Sequence, residues 1–141
     1  MTGKNELLFR RWLDEVWNKG REEVIEELFD ENAVALYSCV PSETPVRGIK
    51  TFKAFCRYIR NTFHELEVII EDIVAEDEKV IAQCRVLAKK PDKTKDDGYR
   101  KIEVSGLCVV KIRDGKIIEA WNNLSLADSD RKIDNLLLKP L

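Results

Sequence analysis

The chain has 141 residues, 24 basic against 26 acidic for a formal net charge of -2, with 44% hydrophobic and 35% charged residues. That length fits one domain with a real core. The scattered charges form no basic stripe of the kind phosphate binding needs, which argues against nucleic acid as a partner. Apolar runs are only a few residues long, such as Leu136 to Leu138, so no membrane span, no membrane association and no secretory leader are expected, and a cytoplasmic protein is.

Leu8, Trp12 and Val16, flanked by Phe9 and Leu13, recur at four-residue spacing and predict an amphipathic helix that ends at Asn18, Lys19 and Gly20. A short second helix is expected at about Glu22 to Phe29, where Val24, Ile25, Leu28 and Phe29 share a face. Ala33 to Val40 then reads as a strand, and Pro41 to Pro45 as a loop that reaches Gly48. From Ile49 to Phe63 the positions Phe52, Phe55, Cys56, Ile59 and Phe63 restore the helical period, giving a third helix with a strongly aromatic face. Strands follow at Leu66 to Ala75 and Val80 to Ala88, joined by a charged turn at Glu76 to Glu78. Lys89 to Gly98 reads as a loop. Tyr99 to Arg113 and Lys116 to Leu126 form a hairpin, because Asp114-Gly115 between two alternating runs favours a two-residue primed turn. Ile133, Leu136 and Leu137 behind Ser129 and Asp130 suggest a last helix in a tail spanning 128 to 138.

Helices gathered before a run of antiparallel strands indicate a single α+β domain over 1–141, with its core at 6–126, in which a curved sheet wraps the third helix. Such an arrangement leaves room for a cavity. Cys39, Cys56, Cys84 and Cys108 lie far apart in apolar segments, and His64 is the one histidine, so the spacing gives no metal motif and reads as buried thiols. His64 itself reads as an exposed residue beside Glu65 and Glu67 where the third helix ends, and the carboxylates from Glu71 to Glu78 read as a solvated edge.

The string Trp12-Leu13-Asp14-Glu15-Val16-Trp17-Asn18-Lys19-Gly20, then Glu26-Glu27-Leu28-Phe29, Val46-Arg47-Gly48 and Asp114-Gly115-Lys116-Ile117-Ile118-Glu119-Ala120-Trp121, resembles the SnoaL-like family of the nuclear-transport-factor-2-like superfamily. The resemblance covers about Glu6 to Leu126. It implies a cone-shaped α+β barrel, cystatin-like in its layering, with three helices packed against a curved antiparallel sheet, an apolar pocket between them, and commonly a homodimer built through the sheet. In catalytic relatives an acid or base enters the cone, often on the last strand just after the Trp held here by Trp121. Here that stretch reads Asn122, Asn123, Leu124, Ser125, Leu126 and Ala127, with no carboxylate before Asp128. An Asn holds a carbonyl or a water by hydrogen bonding but carries no proton for general-base catalysis.

Strand parity, together with the resemblance, places Trp121, Asn123 and Ser125 inward on the last strand, and Ile118, Ala120, Leu124 and Leu126 on an outer face suited to a dimer contact, with Asn122 beside them. Cys84, Val86 and Cys108 fall on apolar inward sets. The candidate ligand contacts are therefore Asn123, Tyr37 and Ser125 as polar groups, lined by Trp121, Trp12, Trp17, Phe52, Phe55, Ile59, Cys84, Val86 and Cys108. The expected function is binding of a small hydrophobic molecule with neither metal nor organic cofactor. Two alternatives stay open: a cofactor-independent cyclase, isomerase or epoxide hydrolase whose base comes from elsewhere, and a dimeric scaffold whose cone is filled by its own side chains.

Overall fold

The structure is a computed structural model that describes residues 3–37 and 45–126, apart from the side chains of 125 and 126. Cys39, most of the loop after the first strand and the expected tail helix lie outside the described residues.

Helix α1 (Lys4–Arg11) is braced by the Glu6–Arg10 pair at 3.1 Å and runs into a π-helical segment, Trp12–Asn18. The wider turn brings Trp12, Leu13, Val16 and Trp17 together onto the buried side. The segment ends at Gly20, whose φ of +71° suits glycine. Helix α2 (Glu22–Leu28) buries Val24, Ile25 and Leu28 and leads directly into strand β1 (Phe29–Tyr37). A short β2 (Val46–Arg47) precedes α3 (Gly48–Thr62), which buries Phe52 and Cys56 and leaves Phe55 and Ile59 half-buried. Lys53–Glu26 at 3.0 Å and a two-point pair between Arg57 and Glu22 tie α3 to α2. Four long strands complete the chain: β3 (His64–Glu76), β4 (Lys79–Pro91), β5 (Tyr99–Arg113) and β6 (Lys116–Leu126). Asp114 and Gly115 both take positive φ, as the primed turn requires.

The six strands form one sheet in the order β2-β1-β6-β5-β4-β3, with three helices packed on it, so the α+β architecture expected from the sequence is observed. Two details differ from that expectation. The sheet is mixed, because β1 runs parallel to β6 while the other neighbours are antiparallel, and it does not close into a barrel. The parallel pair follows from connectivity. The chain enters the sheet at β1, adds the short β2, leaves for α3, and comes back through four strands joined by three hairpins, the last strand lying beside β1. No helix among the described residues is long and apolar enough to cross a membrane.

The free edge of β3 is handled locally. Asn18 at the end of the π-helical segment accepts from the Val68 amide at 2.6 Å and donates to the Val68 carbonyl at 3.2 Å, so one side chain stands in for a neighbouring strand.

Candidate functional site

Register assigns the faces of the sheet. Ile73, Ala82, Cys108, Asn122 and Tyr37 stand in one row across β3, β4, β5, β6 and β1. Ile70, Cys84, Gly106 and Leu124 form the next row, and Val68, Val86 and Val104 a third. All of these residues are buried or half-buried, and they make the face turned to the helices.

This reverses the expected parity of β6. Trp121 is 39% exposed and stands in an outer row with Val74, Ile81, Val109 and Leu36, and Asn123 is exposed beside Leu107 and Gln83. Ala120, Asn122 and Leu124 point inward instead. The cause is a bulge: Ile112 opposes Ile117 while Lys111 opposes Glu119, so Ile118 is an extra residue on β6 and every later side chain changes face. Ile117 is buried on one side of the bulge and Ala120 on the other, three residues apart. Packing favours this arrangement, since a small Ala fits beneath the aromatic interior where a Trp would not. Ser125 is placed only by its backbone, opposite Ser105.

The interior holds two clusters. The larger contains Trp12, Trp17, Phe29 and Phe52, with Trp12 stacked on Phe29 at 5.5 Å between centroids and Phe29 against Phe52 at 4.6 Å. The smaller contains Phe63, Ala88, Ile102 and Val104. Ile59, Leu66 and Leu124 pack against both, and none of the three is fully buried. On the sheet the clusters meet between Cys84 and Val86 of β4 and at Gly106 and its partner Leu124, and Asn122, opposite Cys108, borders the larger one. Gly106 carries no side chain because the β6 main chain occupies that space: a Cβ there would fall 2.0 Å from the Asn123 carbonyl oxygen. Asn122 is half-buried. Its Nδ2 donates to the Leu36 carbonyl at a long 3.4 Å, and its Oδ1 has no partner among the described residues.

Tyr37 packs its ring 4.6 Å from Phe55 and 6.5 Å from Phe52, and Trp17 meets Phe55 edge-on at 6.2 Å. Trp12 and Phe52 are sealed in the larger cluster, whereas Tyr37, Phe55, Ile59 and Val86 are half-buried. Cys84 and Cys108 lie buried on adjacent strands of the inner face, and a hydrogen bond from the Cys108 thiol holds the Cys84 thiol below its ordinary pKa. No buried polar or charged side chain occurs among the described residues, and no group of three or more His, Cys, Asp or Glu there is placed to hold a metal.

The profile of the SnoaL-like polyketide cyclase family matches residues 7–131. The chain belongs to that family. Among solved structures, the SnoaL-like chain superposes on a protein of Jannaschia sp. CCS1 assigned as a SnoaL-like polyketide cyclase, at TM-score 0.74 and 22% identity over 97% of this chain and 93% of that one. It is similar in fold to IdmH of Streptomyces antibioticus, also assigned as a polyketide cyclase, with TM-score 0.68 and 21% identity over 87% and 93% of the two chains. A Catenulispora acidiphila DSM 44928 protein with a ketosteroid isomerase-like fold, solved with trimethylamine, superposes at TM-score 0.70 and 10% identity over 90% and 89%. Comparison with curated proteins finds no match.

Within this SnoaL-like fold the residue following Trp121 is the inward Asn122, so the amide beside the seam is one position earlier than the sequence reading placed it. Gly106 and Leu66 were absent from that reading. A lone glycine inside a strand pattern signals close backbone approach and was the available clue to the first. Leu66 offered none, because β3 carries bulges on both sides of 67–70 that blur its alternation.

Proposed function

We propose that this SnoaL-like protein binds a small, mostly apolar molecule in the seam between its two interior clusters, with Asn122 as the orienting polar group. The observation that carries this reading is the half-buried Asn122 amide, with one long hydrogen bond and an Oδ1 unpartnered among the described residues, on the inner face beside Cys108 and Tyr37. A half-buried acceptor gains by finding a donor, and a ligand hydroxyl or N–H supplies one. Tyr37, Phe55, Ile59, Val86 and Leu124 are the side chains it would meet. The inner face holds no carboxylate or imidazole among the described residues, so a general base for cyclisation or epoxide opening has no carrier there. Family membership supports the alternative, a cofactor-independent cyclase or isomerase, and that reading requires a base from outside the described residues. A cone filled by its own side chains, the scaffold reading, draws support from the closed aromatic cluster. We read the protein as cytoplasmic and homodimeric, associating through the outer face of the sheet.

The test uses the fluorophore 2-naphthol, which carries a hydroxyl donor, and 2-methoxynaphthalene, which carries none. Both should bind saturably to the wild type, and Val86→Trp, which fills the seam, should abolish both. Asn122→Ala should weaken 2-naphthol about three- to tenfold, the worth of one neutral hydrogen bond, and leave 2-methoxynaphthalene unchanged. No saturable binding by either probe would refute the binding reading. Wild-type turnover of an epoxide or enolisable ketone that Asn122→Ala removes without loss of binding would make the protein an enzyme.

A further inference from the structure

A second feature lies on the helical side and is independent of the seam. Where the π-helical segment, α2 and α3 meet there is a cavity of about 140 Å³ walled by Val16, Gly20, Ile25, Arg57, Arg60 and Asn61. Val16 and Ile25 lie beneath it, fully buried. The two arginines differ. Arg57 is closed by Glu22, which also lines the cavity, through Nε to Oε2 at 2.9 Å and Nη2 to Oε1 at 2.5 Å. Arg60 donates only from Nη1, to the Trp17 carbonyl and to the Asn18 carbonyl at 3.2 Å. Its Nε–H and both N–H bonds of Nη2 meet no acceptor among the described residues, and it forms no ion pair there. The lining therefore carries one cancelled pair and one uncompensated positive charge. Cys56, also in the wall, adds none, since burial pushes its thiol up to about 12.

Gly20 keeps that edge of the guanidinium uncovered. A Cβ at this position would fall 2.5 Å from Nε, 2.8 Å from Cζ and 2.9 Å from Nη2 of Arg60. Its φ of +71° independently favours glycine. The Nε and Nη2 donors form the planar fork that matches the two oxygens of a carboxylate.

We propose that this cavity is a binding site for a small carboxylate monoanion, seated on the Nε–Nη2 edge of Arg60. One net positive charge balances one negative charge. The Glu22 carboxylate in the same wall opposes a dianion, and a volume of about 140 Å³ admits only a short acid.

The full-length, ¹⁵N-labelled protein is titrated with sodium propionate, sodium acetate and inorganic phosphate at about pH 8, each against sodium chloride at matched ionic strength. Propionate and acetate should both shift the Arg60 Nε–H and Gly20 amide resonances saturably in the millimolar range, more tightly than the largely dianionic phosphate. Arg60→Gln should remove the shift. Because Arg60 also anchors the end of the first helical segment, a second variant is needed: Asn61→Asp puts a negative charge at the rim, leaves the bonds of Arg60 in place, and should weaken propionate at least about fivefold with an unchanged circular dichroism spectrum. Shifts that follow ionic strength alone, or propionate affinity unchanged in Asn61→Asp, would overturn the site. Phosphate binding as tightly as propionate would overturn the monoanion assignment.

Discussion

Gly106 and Gly98 separate two reasons for a glycine. At Gly106, in the middle of β5, any Cβ would meet the main chain of β6, 2.0 Å from the Asn123 carbonyl oxygen and 3.0 Å from the Leu124 Cα. Main-chain atoms in a paired strand cannot swing aside as a side chain does, so the strands themselves must separate. At Gly98 a Cβ meets nothing within 4 Å, and the only obstacle is a φ of +82°. Gly106→Ala should therefore cost about 3 kcal/mol, the upper part of the range for overpacking, while Gly98→Ala should cost about 1 kcal/mol, the strain of a left-handed alanine. Urea denaturation of both variants measures the difference. Equal losses would mean that β5 and β6 yield more easily than their pairing implies.

At the scale of elements, β3 shows how a side chain can finish a sheet. Its outer edge has no neighbouring strand among the described residues, and Asn18 satisfies both backbone groups of Val68 from the side. Asn18→Ala leaves a partly buried N–H and C=O unpaired and should destabilise by about 1–3 kcal/mol in urea, with faster aggregation on heating as the edge becomes available. Asn18→Asp retains the acceptor for the Val68 amide but sets a carboxylate against the Val68 carbonyl, and should lie at least as low in stability. The same elements explain what the sequence made legible. The helices are readable because Leu8, Trp12 and Val16, and then Phe52, Cys56, Ile59 and Phe63, repeat at turns of a helix, and the Asp114-Gly115 hairpin because its turn chemistry is local. The facing of β6 is not readable in this way. Its parity depends on a bulge at Ile118 that exists only through pairing with β5, and both alternate sets of β6 mix apolar with polar residues. The parallel β1–β6 pair was hidden for a related reason: nothing within either strand records which distant partner it will meet. Asn122 as the inward amide thus required tertiary register, although the lack of a carboxylate after Trp121 was plain from the residues alone.

For the whole molecule the bulge has a further result, because it places Trp121 on the outer face. Val74, Ile81, Val109, Trp121 and Leu36 cross five strands in one row, with Leu107 in the next; Val74, Leu107, Ile81 and Trp121 are 57%, 49%, 40% and 39% exposed. The polar row beside it, Lys79, Lys111 and Glu119, carries both signs of charge and would form a rim. A continuous apolar strip of this kind on a sheet is costly in water, and a second copy of the same strip covers it symmetrically. The homodimer expected from the sequence is thus retained as a proposal but moved to different residues, since Ala120 and Leu124 face the interior and have no part in it. Trp121 is the natural centre of such a contact, as large aromatic anchors dominate interface energetics. Trp121→Arg should convert a micromolar wild-type dimer into a monomer in sedimentation, weakening association at least about thirtyfold, the equivalent of about 2 kcal/mol. Since the side chain points away from the core, the monomeric variant should keep its circular dichroism spectrum. Thermal unfolding gives an independent reading: the wild-type midpoint should rise with protein concentration through mass action, and that of the variant should not. A wild type that sediments as a monomer at micromolar concentration, with a midpoint independent of concentration, would show that the outer strip is left bare and would remove the dimer from the reading of this fold.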